Sequence, residues 1–196
     1  MNWEPGKPLI TQSERFIIRS LSAKDAGPIY TSWWNDAEIQ KGFNFKPRGW
    51  DQQRAAQHIE TFDNRKKFHL GIFEKQTKKI IGFFAIWPNY TKKVALTNIC
   101  IGDKAWWGKG VTLEVRARLL PFIFNTLGME KVEGEIHGRN LPSIYNYKAM
   151  GFTPEAVVRE HLISPFGGRV DGYHFGLLKE EWLEMRKAGK LCALRI

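Results

Sequence analysis

Gly108 and Gly110 stand one lysine apart in the run KAWWGKGVTL, Lys104 to Leu113. An alternating, β-branched run precedes them and an apolar helical stripe follows, so the turn joins a strand to a helix. The first turn of a helix carries amides without intrahelical partners, and the helix dipole favours negative charge beside them. Gly108 and Gly110 lack side chains that would hold an anion away from those amides. Lys109 adds a positive charge, and Thr112 adds a hydroxyl. This chemistry suits phosphate. The run is neither a P-loop, which needs an earlier glycine, nor the three-glycine dinucleotide fingerprint. Taken alone it also fits a plain strand-to-helix turn with Trp106 and Trp107 as packing groups.

About thirty residues on comes NLPSIYNYKAMGF, Asn140 to Phe152. With Trp107-Gly108-Lys109-Gly110, Glu114, Phe124, Leu127-Gly128, Asn140 with Ser143, and Gly151-Phe152, the order resembles the GNAT N-acetyltransferase superfamily. The likeness is greatest to the branch that acetylates ribosomal-protein N-termini. SERFIIRSLSAKDAGPIY resembles the opening of that family, IIGFFAI its central strand, and VDGYHFGLLKEEW its end. The resemblance runs from about Glu14 to Trp182.

The resemblance implies a fold and a set of roles. The fold is α/β, an α+β mixed sheet in a single domain of the acyl-CoA N-acyltransferase type. The co-substrate is acetyl-CoA, with no metal. Trp107, Gly108, Lys109, Gly110, Val111 and Thr112 would hold its pyrophosphate. The backbone of Ile99, Cys100 and Ile101 would pair with the pantetheine arm, and Asn140 and Ser143 would contact the cofactor. Tyr147, four residues before Gly151, would protonate the departing thiolate; Tyr145 is its rival if the helix phase shifts. Ala105 and Ala149 replace residues that many relatives use as phosphate contacts.

The acceptor amine must attack uncharged. An α-amino group, with a pKa of about 8, is partly neutral at pH 7, whereas a lysine-type amine near about 10.4 is not. His137 and Glu114 are the candidate bases. His137 equally suits a structural hydrogen bond, and Glu114 equally suits orienting a loop at its helix N-terminus. Cys100 needs no role as an acyl carrier. The acceptor side draws on Ile29–Trp50, Trp87–Lys93 and Ser164–Tyr173, with Trp34, Trp87, Tyr90 and Asp171 as candidates. Asp36, Glu38 and Asp171 are the few acids there. A peptide N-terminus or a small amine such as an amino sugar is the expected acceptor, and an acidic or phosphate-bearing substrate suits the charge. A polyamine fits poorly, because its site would want carboxylates. The tryptophans also fit simple packing of the helices.

The elements that must position these groups read as alternating strands and helices. Arg15–Leu21 is a strand. Ser22–Asp36 is a helix capped by Ser22 with Asp25 three residues on. Asp51–Arg65 is a second helix. Phe68–Pro88 is two strands around a polar turn, and Lys92–Gly102 is another strand. Leu113, Ala117, Leu120, Phe124 and Leu127 then form the buried stripe of a helix that Pro121 must kink. Lys131–Gly138 is a strand, Leu141–Gly151 a short helix, and Tyr173–Met185 a strand running into a terminal helix. The expected division is an extension over 1–13, the transferase domain over 14–183, and a basic tail over 184–196.

Bulk properties bound the rest. The 196 residues carry 43% hydrophobic and 26% charged side chains, ordinary for a globular domain. No apolar run is long enough to span a membrane, and no signal peptide is evident. Cys100 and Cys192 form no disulfide framework or metal spacing, which suits the cytoplasm. The expected state is a monomer or homodimer. The net charge of +10 is spread over RKK, KQTKK and RKAGK. It draws anions and keeps a nucleic-acid or ribosome-binding module in view, though no nucleic-acid fold signature is present. A non-catalytic acyl-CoA-binding regulatory domain is the other alternative.

Overall fold

A computed structural model describes residues 3–189. Its frame is an eight-stranded sheet in the order β1-β2-β3-β4-β5-β6-β8-β7. The strands are β1 (Ile10–Gln12), β2 (Phe16–Ser20), β3 (Phe68–Glu74), β4 (Ile80–Asn89), β5 (Val94–Ile101), β6 (Lys131–His137), β7 (Thr153–Ile163) and β8 (Arg169–Leu178). Neighbours are antiparallel except β5 and β6. The helices are α1 (Pro28–Asn35), α2 (Ala37–Gly42), α3 (Gln52–Glu60), α4 (Val111–Pro121), α5 (Leu141–Ala149) and α6 (Lys179–Lys187). Among the described residues, no helix is long and apolar enough to cross a membrane.

Strand alternation sends side chains to two cores. Phe84 and Ile86 on β4 join Val115, Leu119 and Leu120 of α4, Tyr147 of α5, Phe175 and Trp182. Phe83 and Cys100 face the other way, onto Tyr30, Trp33, Trp34, Ala55 and Ile59. Burial of these apolar faces is the main force holding both helical layers to the sheet.

The expected helix from Ser22 is two elements. Ser22 and Asp25 do form a capping box, but on a single 3₁₀ turn over Ala23–Asp25. Gly27-Pro28 then restarts the chain, because the residue before a proline is pushed out of the helical region. The helix expected to reach Arg65 stops at Glu60. Pro121 does break the α-helical ladder. Having no N–H, it hands the chain to a π turn over Phe122–Thr126, where the Leu127 amide donates to Phe122 O at 2.9 Å. The segment before residue 14 is built into the domain: β1 pairs with β2, and Leu9 is buried in the larger core. Of the expected tail, residues 184–187 complete α6; residues 190–196, with Cys192, lie outside the described residues. β7 has no counterpart in the sequence-based assignment.

Candidate active site

The parallel pair β5 and β6 is joined over only part of its length. Val94, Ala95 and Leu96 pair with Lys131, Val132 and Glu133. Beyond that point the strands have no ladder between them, so Thr97–Ile101 and Gly134–His137 flank an opening in the sheet. Strand backbone without a neighbour offers hydrogen-bonding groups to an extended ligand.

Tyr147 fills the closed end of that opening. Its hydroxyl donates to Thr97 O over a long 3.4 Å. On the other side lies Gly134, where a Cβ would overlap that hydroxyl. The ring is stacked on Phe175 at 5.3 Å and meets the edge of Phe152 at 4.9 Å. The Arg116 guanidinium covers the ring at 4.1 Å. Arg116 is 1% exposed, and its Nε and Nη1 have no hydrogen-bond partner among the described residues. Tyr145 is exposed on α5, which settles the helix phase in favour of Tyr147 as the inward tyrosine.

The glycine turn sits after β5 and before α4. Gly108 and Gly110 have φ of 72° and 69°, the left-handed region that glycine enters without a steric penalty. Gly110 is the N-cap of α4. The amides of Gly108, Gly110, Val111 and Thr112 donate to no backbone carbonyl outside the helix ladder among the described residues. That leaves a cradle of N–H groups at the positive end of an 11-residue helix. The two tryptophans fix the turn from both sides. Trp107 Nε1 donates to Ile101 O at 2.7 Å, and Trp106 packs edge-on against Phe16.

Arg15 on the far side locks the same turn. Its Nη2 donates to Lys109 O at 2.9 Å, while its amide and Nε donate to the two oxygens of Glu114 at 2.8 and 2.6 Å. Burial disfavours the Glu114 charge, but the Arg15 amide, Ser13 and the Arg15 side chain outweigh it, holding the carboxyl below the usual range. With both oxygens taken, this carboxylate is a weak proton acceptor and a strong latch.

His137 is buried at the end of β6. Its Nε2 lies 3.0 Å from Gly42 O. A carbonyl only accepts, so Nε2 carries the hydrogen and Nδ1 is a bare acceptor, buried without a partner among the described residues. Burial lowers the pKa of this imidazole, so it is neutral at pH 7. Asn140 is committed to structure: its Oδ1 caps α5 through the Ser143 amide at 3.1 Å, and its Nδ2 donates to Gly42 O at 2.8 Å. Cys100 is buried in the smaller core, and burial pushes its thiol pKa up, so it is no nucleophile.

The acceptor-side candidates scatter. Trp34 is a core residue, stacked on Trp50 at 4.2 Å. Tyr90 is exposed at the β4–β5 turn, with its hydroxyl donating to Arg65 O. Asp171 accepts from the Glu160 amide at 2.8 Å within the β7–β8 hairpin. Asp36 and Glu38 both bind Lys104 at 2.8 Å. Trp87 does stand on the open face, directly across from Leu96. Of the two β6 carboxylates there, Glu133 is free to meet a substrate, whereas Glu135 lies 3.7 Å from His161 Nε2. Strand alternation puts them on one face with His137, opposite the core residues Val132 and Ile136. That pattern was visible in KVEGEIH. Arg116 was visible too, three residues after Leu113 on the buried stripe. The pairing of Arg15 with Glu114, 99 residues apart, had no local signal.

A cradle of free amides at a helix N-terminus adjoins a parted pair of strands that ends on a tyrosine hydroxyl, a shape and donor set that suit an extended anionic ligand. The Acetyltransferase (GNAT) domain family matches residues 15–153, and the chain belongs to that family and is an acetyltransferase. It is similar to the uncharacterized N-acetyltransferase p20 of Bacillus licheniformis: 26% identical over 175 residues, 87% of this chain and 96% of that protein. Among solved structures it resembles a spermidine N-acetyltransferase from Vibrio cholerae in complex with CoA and spermine. The TM-score is 0.77 at 19% identity, over 86% of this chain and 98% of that one. A GCN5-related N-acetyltransferase from Brucella melitensis gives 0.79 at 18%, over 98% and 90%. At these identities the two structures speak to the fold.

Proposed function

We propose that this acetyltransferase moves an acetyl group from acetyl-CoA directly to a primary amine. The observation that carries the reading is the opening between β5 and β6, with the glycine cradle on the chain directly after β5 and the Tyr147 hydroxyl at the closed end. The pyrophosphate of acetyl-CoA would lie on the amides from Gly108 to Thr112. The pantetheine arm would pair with the backbone of Ile99 to Ile101, where β5 has β4 on one edge and no partner on the edge toward β6. The acetyl carbonyl would then sit near Tyr147.

The amine attacks that carbonyl, and the C–N bond forms as the C–S bond breaks. Tyr147 gives its proton to the departing sulfur, and the guanidinium of Arg116 beneath the ring offsets the charge left behind. The proton lost by the amine goes to His137 Nδ1, directly or through water. Glu114 serves with Arg15 to hold the turn, in place of the base role that it shared with His137.

The amine reaches the opening from the face bearing Trp87, Leu96, Glu133 and Glu135, since α4 and α5 cover the other. A peptide N-terminus or a small amine such as an amino sugar remains the acceptor class. Glu133 supplies the negative charge that holds an ammonium before it is deprotonated, which widens the class toward cationic amines.

Calorimetric titration with acetyl-CoA, followed by a thiol-release assay, tests the reading. The panel holds N-terminal peptides, amino sugars, nucleotide-linked amino sugars and polyamines. Micromolar binding with thiol release for one class supports it and names the acceptor. Folded protein that does not bind acetyl-CoA overturns it.

A further inference from the structure

The β7–β8 hairpin carries a feature that acetyl transfer does not use. Glu135 on β6 lies directly across from His174 on β8, so both side chains leave the same face of the sheet. His161 on β7 joins them. One ligand atom from each of Glu135, His161 and His174 lies within 4.8 Å of the others. His161 Nε2 is 3.7 Å from Glu135 Oε1.

The backbone is bent to bring His161 there. Between the pairs Val158–Gly172 and Leu162–Val170, three β7 residues face the single residue Asp171. Such bulges re-aim side chains. Glu160 within the bulge takes φ of 49°, uncommon for a residue with a side chain. Two bonds hold it: the Glu160 amide donates to Asp171 Oδ1 at 2.8 Å, and Arg169 Nε donates to Glu160 O at 2.6 Å. Gly172 leaves the space that the imidazole occupies. A Cβ at Gly172 would stand 3.2 Å from His161 Cδ2 and 3.6 Å from Glu135 Oε1. His174 Nε2 is shielded from solvent and has no hydrogen-bond partner among the described residues.

We propose that Glu135, His161 and His174 bind one divalent transition-metal ion. Two imidazoles and a carboxylate suit zinc and its neighbours rather than calcium or magnesium, which want oxygen ligands. At bond lengths near 2.0–2.2 Å, tetrahedral ligands stand roughly 3.3 Å apart. The three groups therefore close by about 1.5 Å at most on binding, within reach of side-chain rotation at an exposed site. Three protein ligands leave a coordination position for water. The bound ion ties β6, β8 and β7 together at the exposed end of the sheet, beside the face from which the amine approaches.

The test is calorimetric titration of tag-free protein with zinc chloride, alongside the Glu135→Gln, His161→Ala and His174→Ala variants. The expected result is one equivalent bound with micromolar affinity, weakened at least about tenfold by each change. Thermal unfolding should shift upward with zinc in the parent and not in the variants. The His161 side chain is exposed, so His161→Ala keeps its fold and its titration stands even where His174→Ala does not. No saturable binding, leaving Glu135 and His161 as an ion pair only, overturns the proposal. So does binding that His161→Ala leaves unchanged.

Discussion

The Arg116 guanidinium lies 4.1 Å from the centre of the Tyr147 ring. It is a buried charge with two guanidinium nitrogens, Nε and Nη1, unpartnered among the described residues. A cation on a ring face is stabilised by the ring quadrupole, and the attraction grows as the ring gains negative charge. A positive charge is therefore fixed against the ring of the proposed proton donor, where it would offset the charge left by proton transfer.

Tyr147→Phe keeps the ring, its stacking on Phe175 and its contact with Arg116, and removes only the hydroxyl. Turnover should fall by about a hundredfold or more, the usual worth of a positioned acid. Acetyl-CoA affinity should stay within a few-fold. Steady-state kinetics with calorimetry separate the two. Unchanged turnover removes Tyr147 from the chemistry.

Arg116→Met replaces the buried charge with an apolar chain of similar length. An unpaired charge in a core costs stability, and apolar replacement of buried ions is often neutral or stabilising by about 1–4 kcal/mol. The melting temperature should hold or rise. Turnover should fall by up to roughly thirtyfold, from the loss of about 2 kcal/mol of cation–ring attraction. A lower melting temperature with unchanged turnover would make Arg116 a packing residue.

Gly110→Glu and Gly110→Asn form a pair. Asparagine tolerates the left-handed backbone at φ of 69°, so that variant should retain acetyl-CoA binding within about tenfold. Glutamate brings bulk and negative charge against the cradle and should abolish detectable binding. Equal affinity in the two folded variants would show that no phosphate lies on this turn.

Acid should destabilise the fold well above the range of carboxylates. Burial lowers the pKa of His58 and His137, and pushes His69 down to about 3. These histidines protonate in the unfolded chain at a higher pH than in the folded one. Their contribution is therefore complete above about pH 6.5 and is lost as pH falls; for His69 the loss continues to about pH 3. His69 lowers stability by about 1.4 kcal/mol per pH unit within its window, and the less deeply buried His58 and His137 by less. In denaturant titrations between pH 6.5 and 4, His69→Phe should flatten the slope by that amount. A slope unaltered by the change would mean that His69 titrates alike in both states.

Local periodicity made much of the frame legible. Strands β2 to β6 alternate or run apolar, and the glycine turn announced itself by the two residues that alone enter its backbone region freely. β7 escaped notice because nearly all of TPEAVVREHLI is exposed, so no buried face imposed a period. β1, three residues long, was too short to show one.

The sequence by itself determined most of the strands and helices, the glycine turn and the pair of tyrosines from which the inward one comes, because each rests on residues within a few positions of one another. Tertiary structure decided what the polar groups do. Asn140 went to a helix cap, Asp171 to a bulge, and Glu114 to Arg15 from the other end of the chain. It also put Arg116 under Tyr147, gave the open face Glu133 and Glu135, and gathered His161 and His174 at Glu135. A buried or charged side chain takes whichever partner the packed chain brings within about 3 Å, and that partner is set by strand order rather than by sequence distance.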